Sequence, residues 1–142
     1  MTQPVDSVFG DPYFKETQID IWNHERKKTM KSIFIISVVL FGSDLLALSM
    51  ANLLTTSTFI YILIVPLIFV GLGFWARNKP VLSVIITIIL FAAIIALNIY
   101  AIGIKSIISG LIVKAVVVFL FISAYQHARE AEEAKQKLSL LA

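Results

Sequence analysis

The fold is decided by one apolar stretch, which reads SIFIISVVLFGSDLLALSMANLL over residues 32–54. Its length matches the roughly 20 residues that an α-helix needs to cross a hydrocarbon core of about 30 Å. A membrane span must satisfy its own backbone hydrogen bonds, and this stretch lacks the polar alternation of a barrel strand. The sequence therefore predicts a transmembrane helix here.

Three further apolar stretches predict three more spans, at about 58–75, 81–104 and 107–125. Short polar turns follow the first two spans, and Pro80 stands at the first helical position of the third. The break between the third and fourth spans rests on Gly103, Lys105 and Ser106. The predicted fold is an all-α membrane bundle of four transmembrane helices with short loops, in which residues 32–125 form the transmembrane domain.

Composition agrees with a membrane location and excludes several chemistries. The chain of 142 residues is 58% hydrophobic, more than a soluble core of this size hides. It contains no Cys, which excludes disulfides, thiolate catalysis and cysteine-based metal centres. The sequence supplies no G-x-S-x-G, P-loop or G-x-G-x-x-G motif, so we expect no enzyme.

The basic residues predict the orientation. The flanks expected on one side of the membrane carry Arg26, Lys27, Lys28, Lys31, Arg77, Lys79, Arg129, Lys135 and Lys137. The opposite side is expected to carry only Lys105. The positive-inside rule then puts both termini in the cytoplasm, and the compact chain favours a bacterial inner membrane.

The segment before the bundle, residues 1–31, predicts an amphipathic helix lying at the cytoplasmic interface. Asp11 and Pro12 are typical of a helix start, and Trp22 precedes the basic cluster. Simple anchoring is the favoured interpretation. Docking of a partner protein or anionic lipid is the alternative, and the shortness of the basic cluster argues against nucleic acid.

The tail, residues 126–142, predicts a charged cytoplasmic extension of the fourth helix. Arg129, Glu133 and Lys137 form opposite-charge pairs at i, i+4 spacing. We expect a solvated extension because Lys135 interrupts the apolar seam. A short coiled-coil contact is the alternative. That seam consists of Ala124, Ala128, Ala131 and Leu138.

One acid lies near the middle of the first span. At that depth Asp44 costs at least about 2.5 to 3.5 kcal/mol to insert, so we expect it to face another helix rather than lipid. Small residues on its face allow close packing, and Lys114 in the fourth span is the best candidate partner. The sequence predicts an intramembrane polar pair of Asp44 and Lys114.

Three interpretations of the polar pair remain open. In the first, Asp44 and Lys114 form a structural lock that fixes which helices touch. In the second, Asp44 binds a proton or cation whose release is coupled to movement of another solute. In the third, Lys114 extends toward the outer surface and Asp44 stays protonated.

Secondary candidates are weaker. Asn98 and Asn52 are predicted to form interhelical hydrogen bonds, with solute binding as the alternative. Pro66 in the second span is predicted to be a static kink, with a gate hinge as the alternative. His127 and Glu130 form an H-x-x-E, with His24 expected nearby, but a solvated interface explains them better than a metal. No cofactor, metal or catalytic residue is predicted.

In outline the chain resembles the small multidrug resistance transporters, which share its small size, four spans and one acid in the first span. Their acid is a glutamate in an aromatic-containing motif, whereas Asp44 lies in the run LFGSDLL over residues 40–46. We transfer no function from this resemblance. We expect a non-catalytic scaffold or accessory subunit, with a small oligomeric transporter or channel using Asp44 and Lys114 as the alternative. Expected partners are the lipid bilayer and either a second copy or another membrane protein.

Overall fold

The structure is a computed structural model and describes residues 11–50, 52, 55–102 and 110–141. Within them the chain forms four α-helices: α1 (Asp11–Met50), α2 (Thr56–Trp75), α3 (Pro80–Ile102) and α4 (Leu111–Leu140). The all-α prediction is confirmed, and each helix is long and apolar enough to cross a membrane. Residues 1–10, the predicted break at 103–106 and the span ends at 53–54 and 107–109 lie outside the described residues.

The structure shows no break between the predicted interfacial segment and the first apolar stretch. The described part of that segment, from Asp11, and the apolar stretch belong to α1, which is one helix of 40 residues. By helix rise it is about 60 Å long, about twice the thickness of a hydrocarbon core. Between Pro12 and Gly42 the sequence contains neither Gly nor Pro, so nothing interrupts the helix at residue 31.

The predicted extension of α4 is present, but it is packed rather than solvated. Four alanines of α4 are at most 2% exposed: Ala124, Ala128, Ala131 and Ala134. Among the described helices α4 pairs most extensively with α1, and the contact of Glu25 with His127 joins their polar halves. Small side chains let two helix backbones approach closely, so the alternative of a short helix–helix contact describes this tail better.

We call this end of the bundle the basic end. It contains the N-terminal half of α1, the turn between α2 and α3, and the C-terminal half of α4. Arg26 on α1 donates to the carbonyl of Arg77 in the turn at 3.5 Å, and Glu25 on α1 contacts His127 on α4 at 2.6 Å. These contacts bring the three basic segments together, as the charge pattern predicted. The opposite end is called the far end.

The core fills the half of the bundle nearest the basic end. One buried cluster contains Ile33, Ala76, Val84, Ala124 and Ala128, and the next contains Ile36, Phe69, Phe91, Val117 and Phe121. Buried hydroxyls in this half donate to backbone carbonyls, as Thr87 does to Ser83 at 2.7 Å and Ser83 does to Leu72 at 2.5 Å. These hydroxyl groups carry no penalty for an unsatisfied buried donor, because each donates a hydrogen bond to a carbonyl oxygen.

Candidate functional site

A large cleft opens where the packed core stops. It lies in the far half of the bundle, between α1, α3 and α4, with part of α2 in its wall. Phe91, from the last core cluster, lies at its boundary. The cleft volume is about 840 Å³, which falls in the range of small-molecule binding sites. The far half of the bundle therefore contains an open cleft of ligand-binding size.

The cleft collects the polar residues that the sequence placed inside the membrane. Four of its lining residues are polar or charged: Ser43, Asp44, Asn98 and Lys114. The remaining lining residues are mostly apolar. Apolar walls with a few convergent polar groups are typical of ligand sites. Asp44 on α1 and Lys114 on α4 are far apart in sequence, and both line this cleft.

The predicted direct pairing of Asp44 with Lys114 is not among the described ion pairs. Among the described residues, ion pairs within 4.0 Å join other partners, and no ion pair or hydrogen bond reaches the Asp44 side chain. Asp44 is exposed and faces the cleft. The apolar pattern of the sequence singles out both residues, and both line the cleft.

The secondary candidates have different positions. Asn52 is an exposed turn residue just past α1 with φ of 53°, a left-handed conformation that Asn tolerates better than most residues. Pro66 is buried inside a continuous α2, and its carbonyl accepts a hydrogen bond from Ser37 of α1 at 3.0 Å. Of these candidates only Asn98 lines the cleft. The contact at Pro66 agrees with a static packing role.

A second polar site joins α1 to α4 at the basic end. We call Glu25, Lys28, His127 and Glu130 the α1–α4 cluster. The Glu25 carboxylate lies 2.6 Å from His127 Nδ1 through Oε2, and its Oε1 accepts from Lys28 Nζ at 3.1 Å. The Glu25 side chain is only 9% exposed. A buried carboxylate thus bridges the two long helices.

The neighbours of Glu25 keep it ionised. Desolvation by burial acts to raise its pKa, but hydrogen bonds and charge from Lys28 and His127 outweigh burial. The net effect lowers the pKa of Glu25 below its ordinary value of 4.5. At neutral pH the group is therefore a carboxylate with two oxygens available as acceptors or ligands.

Glu130 completes the cluster from the exposed side. It follows His127 by three residues, so both project from one face of α4. Ligand atoms of Glu25, His127 and Glu130 all lie within 4.8 Å of one another. The H-x-x-E pattern predicts His24 nearby, but His24 is exposed and Glu25 takes that place.

Trp22 lies at the same α1–α4 interface, farther from the core than Glu25. Trp22 has the guanidinium of Arg26 at 5.6 Å from its ring centroid and the ammonium of Lys135 on α4 at 5.3 Å. Both distances suit cation–π contacts. Positions 22, 25, 29, 33 and 36 of α1 recur every three or four residues, so a heptad reading of this segment would have found the interface.

Comparisons with known proteins add no family. No protein-family model matches the chain, and no curated protein and no solved structure is significantly similar to it.

Proposed function

We propose that the chain is an integral membrane protein of the bacterial inner membrane with its basic end in the cytoplasm. Four apolar helices and the gathering of the basic segments at one end support this orientation. The Cys-free chain allows a direct test with single cysteines in right-side-out vesicles. We expect Ser57→Cys, near the far end, to react with an impermeant thiol reagent, and Asn78→Cys to react only after lysis. The reverse pattern would refute the orientation.

Within that membrane, we propose that the chain is a small transporter or channel whose solute pathway includes the cleft. The single observation that carries the proposal is the exposure of Asp44 to a cleft of about 840 Å³. A membrane acid costs several kcal/mol, and no described ion pair compensates it here. Binding of a proton or small cation by Asp44 would give this carboxylate a functional role. Lys114 supplies the opposite charge in the same lining.

Two experiments test transport. In the first, Ser43→Cys and Asn98→Cys are exposed to an impermeant thiol reagent, with Ser83→Cys as the buried control. A water-filled cleft predicts rapid modification of the two cleft positions and none of the control. If none of the three cysteines reacts, the proposal of a water-filled cleft is refuted.

In the second, proton flux is followed with a pH-sensitive dye in proteoliposomes. We expect Asp44→Asn to reduce the flux to that of protein-free liposomes. Asp20→Asn, which changes an exposed acid outside the cleft, should keep the parent rate. Parent flux no higher than protein-free liposomes, or equal flux in Asp44→Asn, would refute the proposal.

A second candidate is a non-catalytic scaffold or accessory subunit. The pairing of α1 with α4 supports it, because exposed charged side chains such as Arg129 and Glu133 on this paired segment offer a surface that a partner could contact. A photoreactive residue at Gln136, which is exposed on this paired segment, tests the idea in cells. One discrete protein adduct there, with none at the exposed Phe119 of the apolar part of α4, would favour the scaffold.

A further inference from the structure

The α1–α4 cluster contains more ligand atoms than its helix contact requires. A hydrogen bond between Glu25 and His127 already joins the two helices. Glu130 adds a third potential ligand atom within 4.8 Å of the other two. Glu25 is nearly buried, whereas Glu130 is exposed and free to adjust its rotamer. The cluster therefore has one fixed oxygen, one imidazole and one adaptable oxygen.

The distances suit a metal ion after small movements. Zn²⁺ binds imidazole nitrogen and carboxylate oxygen at about 2.0 to 2.2 Å, which sets tetrahedral ligand atoms roughly 3.3 Å apart. Atoms now within 4.8 Å of one another reach that spacing by side-chain rotation of an ångström or so. The 2.6 Å contact of Glu25 with His127 widens as a metal replaces the shared proton.

The donor set also restricts the kind of ion. Mg²⁺ and Ca²⁺ prefer all-oxygen sites, whereas one imidazole with two carboxylates suits Zn²⁺ and neighbouring first-row metals. Two carboxylates balance the divalent charge. Lys28 competes for Glu25 through its 3.1 Å ion pair, but its side chain is 42% exposed and can turn toward water.

We propose that Glu25, His127 and Glu130 form a binding site for a divalent transition-metal ion, Zn²⁺ being the probe of choice, that joins α1 to α4. Three protein ligands leave at least one coordination position for water, so the site is reversible rather than a closed structural centre. Because the ligands come from both long helices, the bound ion stabilises their pairing by mass action.

The test uses the full chain in detergent, purified without a histidine tag and treated with a chelator. Zn²⁺ binding is measured by calorimetry, and Co²⁺ absorption reports nitrogen and oxygen coordination. We expect one saturable ion per chain and a raised melting temperature. Mg²⁺ in excess should not displace Zn²⁺, and displacement by Mg²⁺ would overturn the proposal.

Variants decide which residues bind. Glu130→Gln changes an exposed side chain and should fold normally, yet weaken Zn²⁺ binding by about tenfold or more. His127→Gln, which can still hydrogen-bond Glu25, should remove the Co²⁺ signature. The matched controls are His24→Gln and Glu133→Gln, an exposed histidine and an exposed acid outside the cluster, and both should bind as the parent does.

Two further results would overturn the metal site. One is the absence of saturable Zn²⁺ binding in the parent. The other is binding by Glu130→Gln that equals binding by His24→Gln, since an ion held elsewhere does not depend on Glu130. Circular dichroism of each variant separates loss of the site from loss of the fold, and Glu130→Gln remains decisive if His127→Gln does not fold.

Discussion

The packing of α4 against α1 beyond the apolar core can be tested at Ala131. Its side chain is 0% exposed, and it lies between His127 and Lys135, which both contact α1. Ala131→Leu adds three carbon atoms at a position without access to solvent. The helices must separate or the new side chain must adopt a strained rotamer, at a cost of about 1 to 3 kcal/mol. A solvated extension would instead respond within about 0.5 kcal/mol, since Ala and Leu are both strong helix formers.

Hydrogen exchange followed by mass spectrometry measures the effect locally. A loss of about 1 to 3 kcal/mol corresponds to roughly 5- to 150-fold faster exchange, at tenfold for each 1.4 kcal/mol. We expect the increase in both 11–31 and 126–140, because each helix half protects the other. Gln136→Leu, at an exposed position of the same extension, is the control and should leave exchange unchanged. Equal exchange in Ala131→Leu and the control would refute the paired-helix packing.

Three further outcomes follow from particular contacts. Gly73→Ala should be about 1 to 3 kcal/mol less stable than Gly71→Ala in denaturant titration, because a Cβ at Gly73 would lie 2.5 Å from a phenyl ring of α1 while Gly71 has nothing within 4 Å; equal stabilities would contradict the close approach. In a double-mutant cycle, the coupling energy between Asp44→Asn and Lys114→Met should be less than about 0.5 kcal/mol, because none of the described ion pairs joins the two residues. A coupling energy above about 1 kcal/mol would instead support the interpretation of the pair as a structural lock. Ser37→Ala should lose about 1 kcal/mol of unfolding free energy with its 3.0 Å hydrogen bond to α2, and an unchanged denaturation midpoint would show that the bond contributes nothing.

Polar residues within the apolar stretches were easier to predict from sequence than contacts between helices. Asp44 and Lys114 stand out because any charge in an apolar run is conspicuous, and both do line the cleft. Their distance was not predictable, because helical spacing defines the face of a residue but not how far two helices diverge. Pro66 likewise gave a local signal, whereas its contact with Ser37 depends on the packing of α1 against α2.

The α1–α4 cluster shows the same limit more sharply. Glu25 and His127 are 102 positions apart and lie in segments that look like ordinary solvated helix. In the sequence Glu25 is simply an acidic residue beside a cluster of basic ones, and no local pattern predicts that it is buried. Its burial results from the continuous α1, which carries it alongside the alanine seam of α4.

The sequence by itself determined the number of apolar helices among the described residues, the approximate bounds of α2 and α3, and the gathering of basic residues at one end. These properties depend on segment length, composition and local turn residues, which can be read directly from the sequence. Only the tertiary structure decided that α1 pairs with α4 beyond the apolar core, at Trp22 and Glu25, that the core stops near Phe91, and that a cleft follows it. Those features depend on side-chain fit between distant segments, for which many pairings satisfy the same hydrophobic pattern and only packing selects one.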